Sequence, residues 1–139
     1  MFGKILLATD GSAHSDRALD HVKSLAQKYG SEVIVFHAYH YIPEYISPSN
    51  ADQILQGAKA AAEDIVGKAA YHLEAAGIPV RTMVDEGPAA NEIVSLAANE
   101  RCDLIVVGAR GLGGVTGTLL GSVSMRVVSK TALPVLVVH

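Results

Sequence analysis

Two stretches of this 139-residue chain stand out for residue types that suit ligand chemistry better than core packing: Ala8-Thr9-Asp10-Gly11-Ser12, and Gly108 through Ser124. In the second, glycine stands at 108, 111, 113, 114, 117 and 121, six of the fourteen positions from 108 to 121. Glycine loses more conformational freedom on ordering than any other residue, so this density needs a reason. One reason is a run of tight turns. The other is a backbone that approaches an anion closely and delivers it to a helix start. Gly121, Ser122, Val123 and Ser124 open a helical pattern, and the unpaired N–H groups and dipole of such an end favour phosphate. Ser122 and Ser124 would add hydroxyl donors there, although Ser122 also suits a helix-opening position on its own account. Asp10-Gly11-Ser12 equally reads as a turn into a helix, and Arg110 as facing either a phosphate or solvent.

Familiar nucleotide and hydrolase motifs do not match. The loop contains no lysine and no Gly-Lys-Ser/Thr ending, which a P-loop requires to cradle phosphates. The spacing from Gly111 and Gly113 puts Thr116 where a dinucleotide fingerprint needs its third glycine. No Gly-x-Ser-x-Gly elbow is present. Of the six histidines, His37 and His40 are three apart at a strand end and point to opposite faces. His14 and His21 share a helix face but lack a third ligand. Cys102 is the only cysteine, so no intrachain disulfide forms. Its place between a helix exit and a strand predicts an inert thiol.

Those two stretches must be positioned by the elements around them. Short β-branched runs alternate with longer helical patterns, as in a parallel sheet covered on both faces. The first strand is Lys4 to Ala8, followed by a helix over Ser15 to Tyr29 with Ala18, Val22, Leu25, Ala26 and Tyr29 on one face and Gly30 as its stop. Glu32 to Ala38 is the second strand. A loop over Tyr39 to Asn50 holds three of the five tyrosines, Tyr39, Tyr41 and Tyr45, as a lid, a partner surface or ordinary packing. A long helix from about Ala51 to Ala76 carries Ile54, Ala58, Ala61, Ile65, Ala69, Leu73 and Ala76 as its stripe. Gly77 ends it. Ile78 to Val84 is the third strand, and Gly87-Pro88 opens the third helix with proline at its first position, Ile93, Leu96 and Ala97 facing inward. Asp103 to Val107 is the fourth strand, Gly121 to Lys130 the fourth helix, and Pro134 to Val138 the fifth strand.

This alternation predicts an α/β fold of one domain over residues 1–139: an open, doubly wound, Rossmann-like sheet of five parallel strands in the order 3-2-1-4-5, with helices on both faces. Ligands of such sheets bind beyond the carboxyl ends of the strands where the order reverses, here between strands one and four. Both unusual stretches leave the sheet at that point.

The glycine stretch resembles the signature of the ATP-binding branch of the universal stress protein family, Gly-x2-Gly-x9-Gly-Ser/Thr, with Gly108, Gly111, Gly121 and Ser122 at those spacings. The likeness extends over the chain through KILLATDGS, EVIVFHA, GPAANEIV, DLIVVGARG and TALPVLVV. It implies ATP as ligand, with Mg or Mn held through the phosphates. It implies Ala8, Thr9 and Asp10 beside adenine and ribose, with Asp10 accepting from a ribose hydroxyl or lying near the phosphate-bound metal. It also implies Ala38 at the adenine through its backbone, Val107 and Gly108 against the nucleoside, and Gly111, Gly121, Ser122, Val123 and Ser124 around the phosphates, with Arg110 close by. Met125 departs from the family, which more often has a polar residue there. The resemblance further implies a homodimer through antiparallel pairing of Pro134 to Val138, a strand whose apolar edge invites such pairing.

Composition narrows the function classes. Charged residues are 18%, aromatics 5% and the net charge −3, so a basic track or stacking platform for nucleic acid is not expected. No stretch approaches the ~20 apolar residues of a membrane span. Ile5 to Ala8 is too short for a signal-peptide core. The expectation is a soluble cytoplasmic nucleotide sensor or switch with slow or no hydrolysis, since no evident general base or arginine finger accompanies the loop. A slow ATPase or nucleotidyl-transfer enzyme, and a nucleotide-free scaffold of the same fold, are the alternatives.

Overall fold

The computed structural model describes residues 1–40, 48–110 and 120–139. Its elements are β1 (Lys4–Ala8), α1 (Ala13–Tyr29), β2 (Glu32–Tyr39), α2 (Pro48–Ala75), β3 (Val80–Glu86), α3 (Ala89–Asn99), β4 (Leu104–Gly108), α4 (Ser122–Lys130) and β5 (Val135–Val138). The five strands form one sheet in the order β3-β2-β1-β4-β5, with every neighbouring pair parallel. The anticipated topology is the observed one.

Alternation along the strands separates two cores, because successive side chains of a strand point to opposite faces. Ile5, Leu7, Val33, Val35 and Val106 pack with Val22 of α1 and Val66 and Leu73 of α2. Leu6, Ile34, Phe36, Ile105 and Val107 pack on the other face with Ile93 of α3 and Val127 of α4. Both faces of β1 and β4 are therefore buried, which is why these strands read as unbroken apolar runs. Burial of each such Leu, Ile or Val contributes about 1.5–3 kcal/mol.

Besides Tyr29, which is 40% exposed and not on the inner face of α1, and earlier starts of α1 and α2, three details differ from the sequence expectations. The stripe of α2 is rotated: Ala62, Val66, Ala69, Ala70 and Leu73 are buried, whereas Ile54 is 43% exposed and Ala61 faces solvent. The third strand begins two residues later than anticipated. Gly77 adopts φ 79°, and Ile78 N–H and Gly77 N–H donate to the carbonyls of Leu73 and Glu74, a Schellman ending. Ile78 is apolar because it closes that helix end, not because it starts a strand. Third, Pro88 is the N-cap of α3, with φ −61° and ψ 121°, and not its first helical residue. Gly30 ends α1 in the left-handed conformation, as anticipated.

Candidate functional site

The exit of β1 is a frame of short polar side chains bonded to their own backbone. Thr9 is 7% exposed, and its Oγ1 accepts from Gly11 N–H at 3.4 Å. Asp10 Oδ1 accepts from Ser12 N–H at 2.9 Å, and Gly11 takes φ 79°, which an L side chain rarely adopts. Ser12 then caps α1, its Oγ accepting from Ser15 N–H at 3.3 Å, while Ser15 Oγ donates back to the Ser12 carbonyl at 2.9 Å. This reciprocal arrangement occupies otherwise unpaired groups of the helix start. From β2, His37 Nδ1 lies 2.6 Å from the Thr9 carbonyl oxygen.

At the exit of β4 the determinant is space. A Cβ on Gly108 would stand 2.9 Å from His14 Cβ, 3.0 Å from His14 C and 3.1 Å from Ser15 N. Glycine here lets the strand end meet the first turn of α1. His14 Nδ1 is buried beside this contact with no hydrogen-bond partner among the described residues. Ala109 is fully buried and donates its N–H to the Val138 carbonyl at 2.7 Å. The chain returns at Gly121, whose N–H reaches the Ala109 carbonyl at 2.6 Å. Ser124 is 2% exposed; its hydroxyl donates to the Ala109 carbonyl at 2.8 Å and lies 3.0 Å from the Gly121 carbonyl. The start of α4 is thereby bolted to the end of β4. Gly121, the N-cap, has φ −69° and ψ 165°, and no side chain caps this helix. Ser122 and Val123, in its first turn, are exposed.

Register joins the two exits. Ala8 lies beside Phe36 and Val107, and Gly108 lies beside Val138. Ala8 and Ala38 pack against the buried cluster that includes Val107, on the face covered by α3 and α4. Among the described residues no group of three or more His, Cys, Asp or Glu side chains is placed to hold a metal, and no helix is long and apolar enough to cross a membrane. Cys102 is buried, and desolvation pushes its thiol up to about 11, so it is not a nucleophile at neutral pH.

The full chain, residues 1–139, matches the universal stress protein family. The chain belongs to that family. A universal stress protein of Thermus aquaticus, from the 3′ region of its QAH/OAS sulfhydrylase gene, is 38% identical over 140 residues, with 100% of each chain covered. MJ0577, a universal stress protein of Methanocaldococcus jannaschii, has a solved structure that superposes with a TM-score of 0.90 at 31% identity, covering 99% of this chain and 96% of that one. A universal stress protein solved in complex with cAMP superposes at a TM-score of 0.72 and 28% identity, covering 99% and 97%.

Within this universal stress protein fold, Ala8, Thr9, Asp10, Ala38, Val107, Gly108, Arg110, Gly121, Ser122, Val123 and Ser124 all fall at the carboxyl end of the sheet or the start of α4. Gly111, with Tyr41 and Tyr45, lies outside the described residues. Two positions differ from what residue type suggested. The Ser124 hydroxyl points inward to backbone carbonyls, so its side chain is structural. Gly121 is needed for room and not for an unusual φ: a Cβ there would lie 3.2 Å from the Ala109 carbonyl oxygen and 3.3 Å from Arg110 Cα. His37, which pairs poorly with His40 as a metal ligand, instead meets the Thr9 carbonyl; in the sequence it is marked as the one ionisable residue inside the otherwise apolar run VIVFHA.

Proposed function

We propose that this universal stress protein binds ATP at the carboxyl end of its sheet and acts in the cytoplasm as a nucleotide-dependent sensor or switch, with slow or no hydrolysis. Residues 1–139 would work as one domain. The observation that carries this reading is the placement of the Gly108, Gly121 and Ser122 signature across β4 and α4, at the point where strand order reverses, on a sheet end that also carries Ala8, Ala38 and Val107. The cAMP complex of a relative supports an adenine nucleotide as the ligand class. The base would lie against Ala8, Thr9 and Ala38, the nucleoside against Val107 and Gly108, and the phosphates against Gly111, Gly121, Ser122, Val123 and the backbone of Ser124, near Arg110. Asp10 would serve the ribose or a phosphate-bound cation.

A Mg or Mn would be carried mainly by the phosphates, as such ions commonly are in nucleotide sites. Such an ion would neutralise phosphate charge at the helix start. The edge strand β5 presents Val135, Leu136 and Val137 without a charged residue, which supports a homodimer paired through this strand.

The test is a thermal melt with Mg-ATP, combined with mass spectrometry of small molecules released from freshly purified, denatured protein. Ligand at 100 times its dissociation constant contributes about 2.7 kcal/mol, a melting shift of roughly 6–15 °C for a chain near this size. NADH and FMN should give no shift. A substantial single-turnover rate of ATP hydrolysis would replace the switch with an ATPase. No bound nucleotide and no shift would leave a scaffold.

A further inference from the structure

We propose that His37 is a positioning residue of the nucleotide site: its imidazole occupies the Thr9 carbonyl and so keeps the Ala38 N–H out of the β1–β2 ladder, open to the base. This rests on the reading that an adenine nucleotide binds here.

The argument begins with which way the β2 backbone groups point. Thr9 N–H donates to the Phe36 carbonyl at 2.9 Å, whereas Val33 N–H donates to Pro79 at 2.9 Å and Gly87 N–H to Tyr39 at 3.1 Å. Even-numbered residues of β2 thus address β1, and odd-numbered ones address β3. Ala38, two beyond Phe36, turns its N–H and C=O toward β1. An unbroken parallel ladder would join Ala38 N–H to the Thr9 carbonyl, as the evenly spaced bonds of such a pair require.

The structure breaks the ladder there. The β1–β2 register ends at Ala8 and Phe36, and the Thr9 carbonyl meets His37 Nδ1 at 2.6 Å instead. A carbonyl only accepts, so Nδ1 carries the hydrogen, and in the neutral ring Nε2 is the acceptor. Beyond Thr9, the bond from Ser12 N–H to Asp10 Oδ1 and the positive φ of Gly11 turn the chain away from β2. No backbone bond from Ala38 N–H to Thr9 is found among the described residues. A donor and an acceptor of one residue are then presented side by side at the ligand end of the sheet, where backbone groups need a partner from solvent or ligand. The amino group of adenine is a donor that matches the Ala38 carbonyl, and the adjacent ring nitrogen is an acceptor that matches the Ala38 N–H. His37 itself touches no ligand in this arrangement; it acts through Thr9 and Ala38.

Amide hydrogen exchange at Ala38, read by NMR, tests this directly, alongside affinities for Mg-ATP and for tripolyphosphate as a probe without a base. In wild type the Ala38 amide should exchange rapidly without ligand and become protected with Mg-ATP. In His37→Leu the Thr9 carbonyl takes up Ala38 N–H, so the amide should be protected without ligand. Mg-ATP affinity should then fall about five- to tenfold, the equivalent of one neutral hydrogen bond, while tripolyphosphate affinity holds. His37→Asn, whose amide nitrogen sits where Nδ1 does, should restore both readouts. A merely structural histidine would leave Ala38 exchange unaltered. Protection of Ala38 in ligand-free wild type, or equal Mg-ATP affinity in wild type and His37→Leu, overturns the proposal. If His37→Leu does not fold, wild-type exchange and His37→Asn still decide. If wild type takes up no adenine nucleotide, the positioning role falls together with the site reading, and the exchange comparison shows whether His37 controlled Ala38 at all.

Discussion

The two ends of the sheet are built from different materials. At the amino end, charged side chains lace neighbouring elements together. Lys4 Nζ reaches Glu32 Oε1 at 3.2 Å and the Glu100 carbonyl at 3.0 Å, Lys4 N–H donates to Asp103 Oδ2 at 2.9 Å, and Arg81 pairs with Glu100 at 2.7 Å. At the carboxyl end most ties are short-range: hydroxyls, one imidazole, the Asp10 carboxylate on its own turn and the absence of side chains at Gly108 and Gly121. Arg17, bonded to the His139 carbonyl, is a long charged side chain at that end. Long charged groups tolerate displacement, because solvent screens them and exposed pairs are worth little. Close backbone approaches tolerate none. A binding end needs fixed backbone donors, and glycine packing supplies them; a closed end needs only adequate stability. Substitutions should therefore act strongly at one end and weakly at the other.

The largest effect is expected at Gly108. Its missing Cβ is the room in which the first turn of α1 sits, and two of the three nearest atoms are backbone. Gly108→Val must push strand and helix apart, which overpacking data place at about 1–3 kcal/mol or more. Urea denaturation should show a lower midpoint, with nucleotide response lost as well. An unchanged midpoint would mean the two exits are not locked together.

Gly121 should separate binding from stability. Its φ suits any residue, so only the approach to Ala109 and Arg110 resists a side chain. Gly121→Ala should be tolerated with weakened binding. Gly121→Val should abolish the Mg-ATP melting shift while the circular dichroism spectrum stays that of wild type. Retained ATP binding in Gly121→Val would place the phosphates elsewhere.

Asp10 comes next, and it does two things. Asp10→Ala removes the acceptor for Ser12 N–H, costing about 0.5–1.5 kcal/mol of stability. If the carboxylate also serves the ribose or cation, ATP affinity falls by about 1.5–3 kcal/mol. Asp10→Asn keeps an acceptor oxygen without the charge, so stability should recover while calorimetry still shows weaker ATP binding. Full affinity in Asp10→Asn would reduce Asp10 to a turn residue.

The strand order was legible because each strand carries its own pattern and right-handed crossovers allow few arrangements. The phase of α2 was not. Ala58, Ala60, Ala61 and Ala62 put small apolar residues at every rotation, so periodicity could not select the buried face. Ile78 misled for a related reason: an apolar residue closing a helix looks like one opening a strand. In the site, the glycine spacing was readable, but the reason for each glycine was not. Gly108 is required by His14 and Ser15, ninety-odd positions away in sequence, and no local pattern encodes that. The inward turn of the Ser124 hydroxyl depends likewise on the Ala109 carbonyl, brought to it by the fold.

The smallest effect belongs to the amino end, and pH gives its sign. The hydrogen bond from Arg81 holds the Glu100 carboxyl below its ordinary value of 4.5, and the same pair raises Arg81. A carboxylate whose pKa is depressed by folding adds stability that is fully present above its unfolded value and is lost as pH falls through the folded one. Arg81 stays charged throughout. Arg81→Met should therefore lower the melting temperature slightly at neutral pH, because the pair is solvent-exposed and screened. The difference from wild type should hold constant down to about pH 5 and shrink below the ordinary carboxylate range, where wild type protonates Glu100 and loses the same increment. Salt should reduce the difference at neutral pH. The Mg-ATP shift should be untouched, since Arg81 and Glu100 lie at the opposite end from Gly121. A gap that widens on acidification would contradict the assigned sign. A change in nucleotide affinity would mean that the two ends of the sheet are coupled, and the contrast between them would fail.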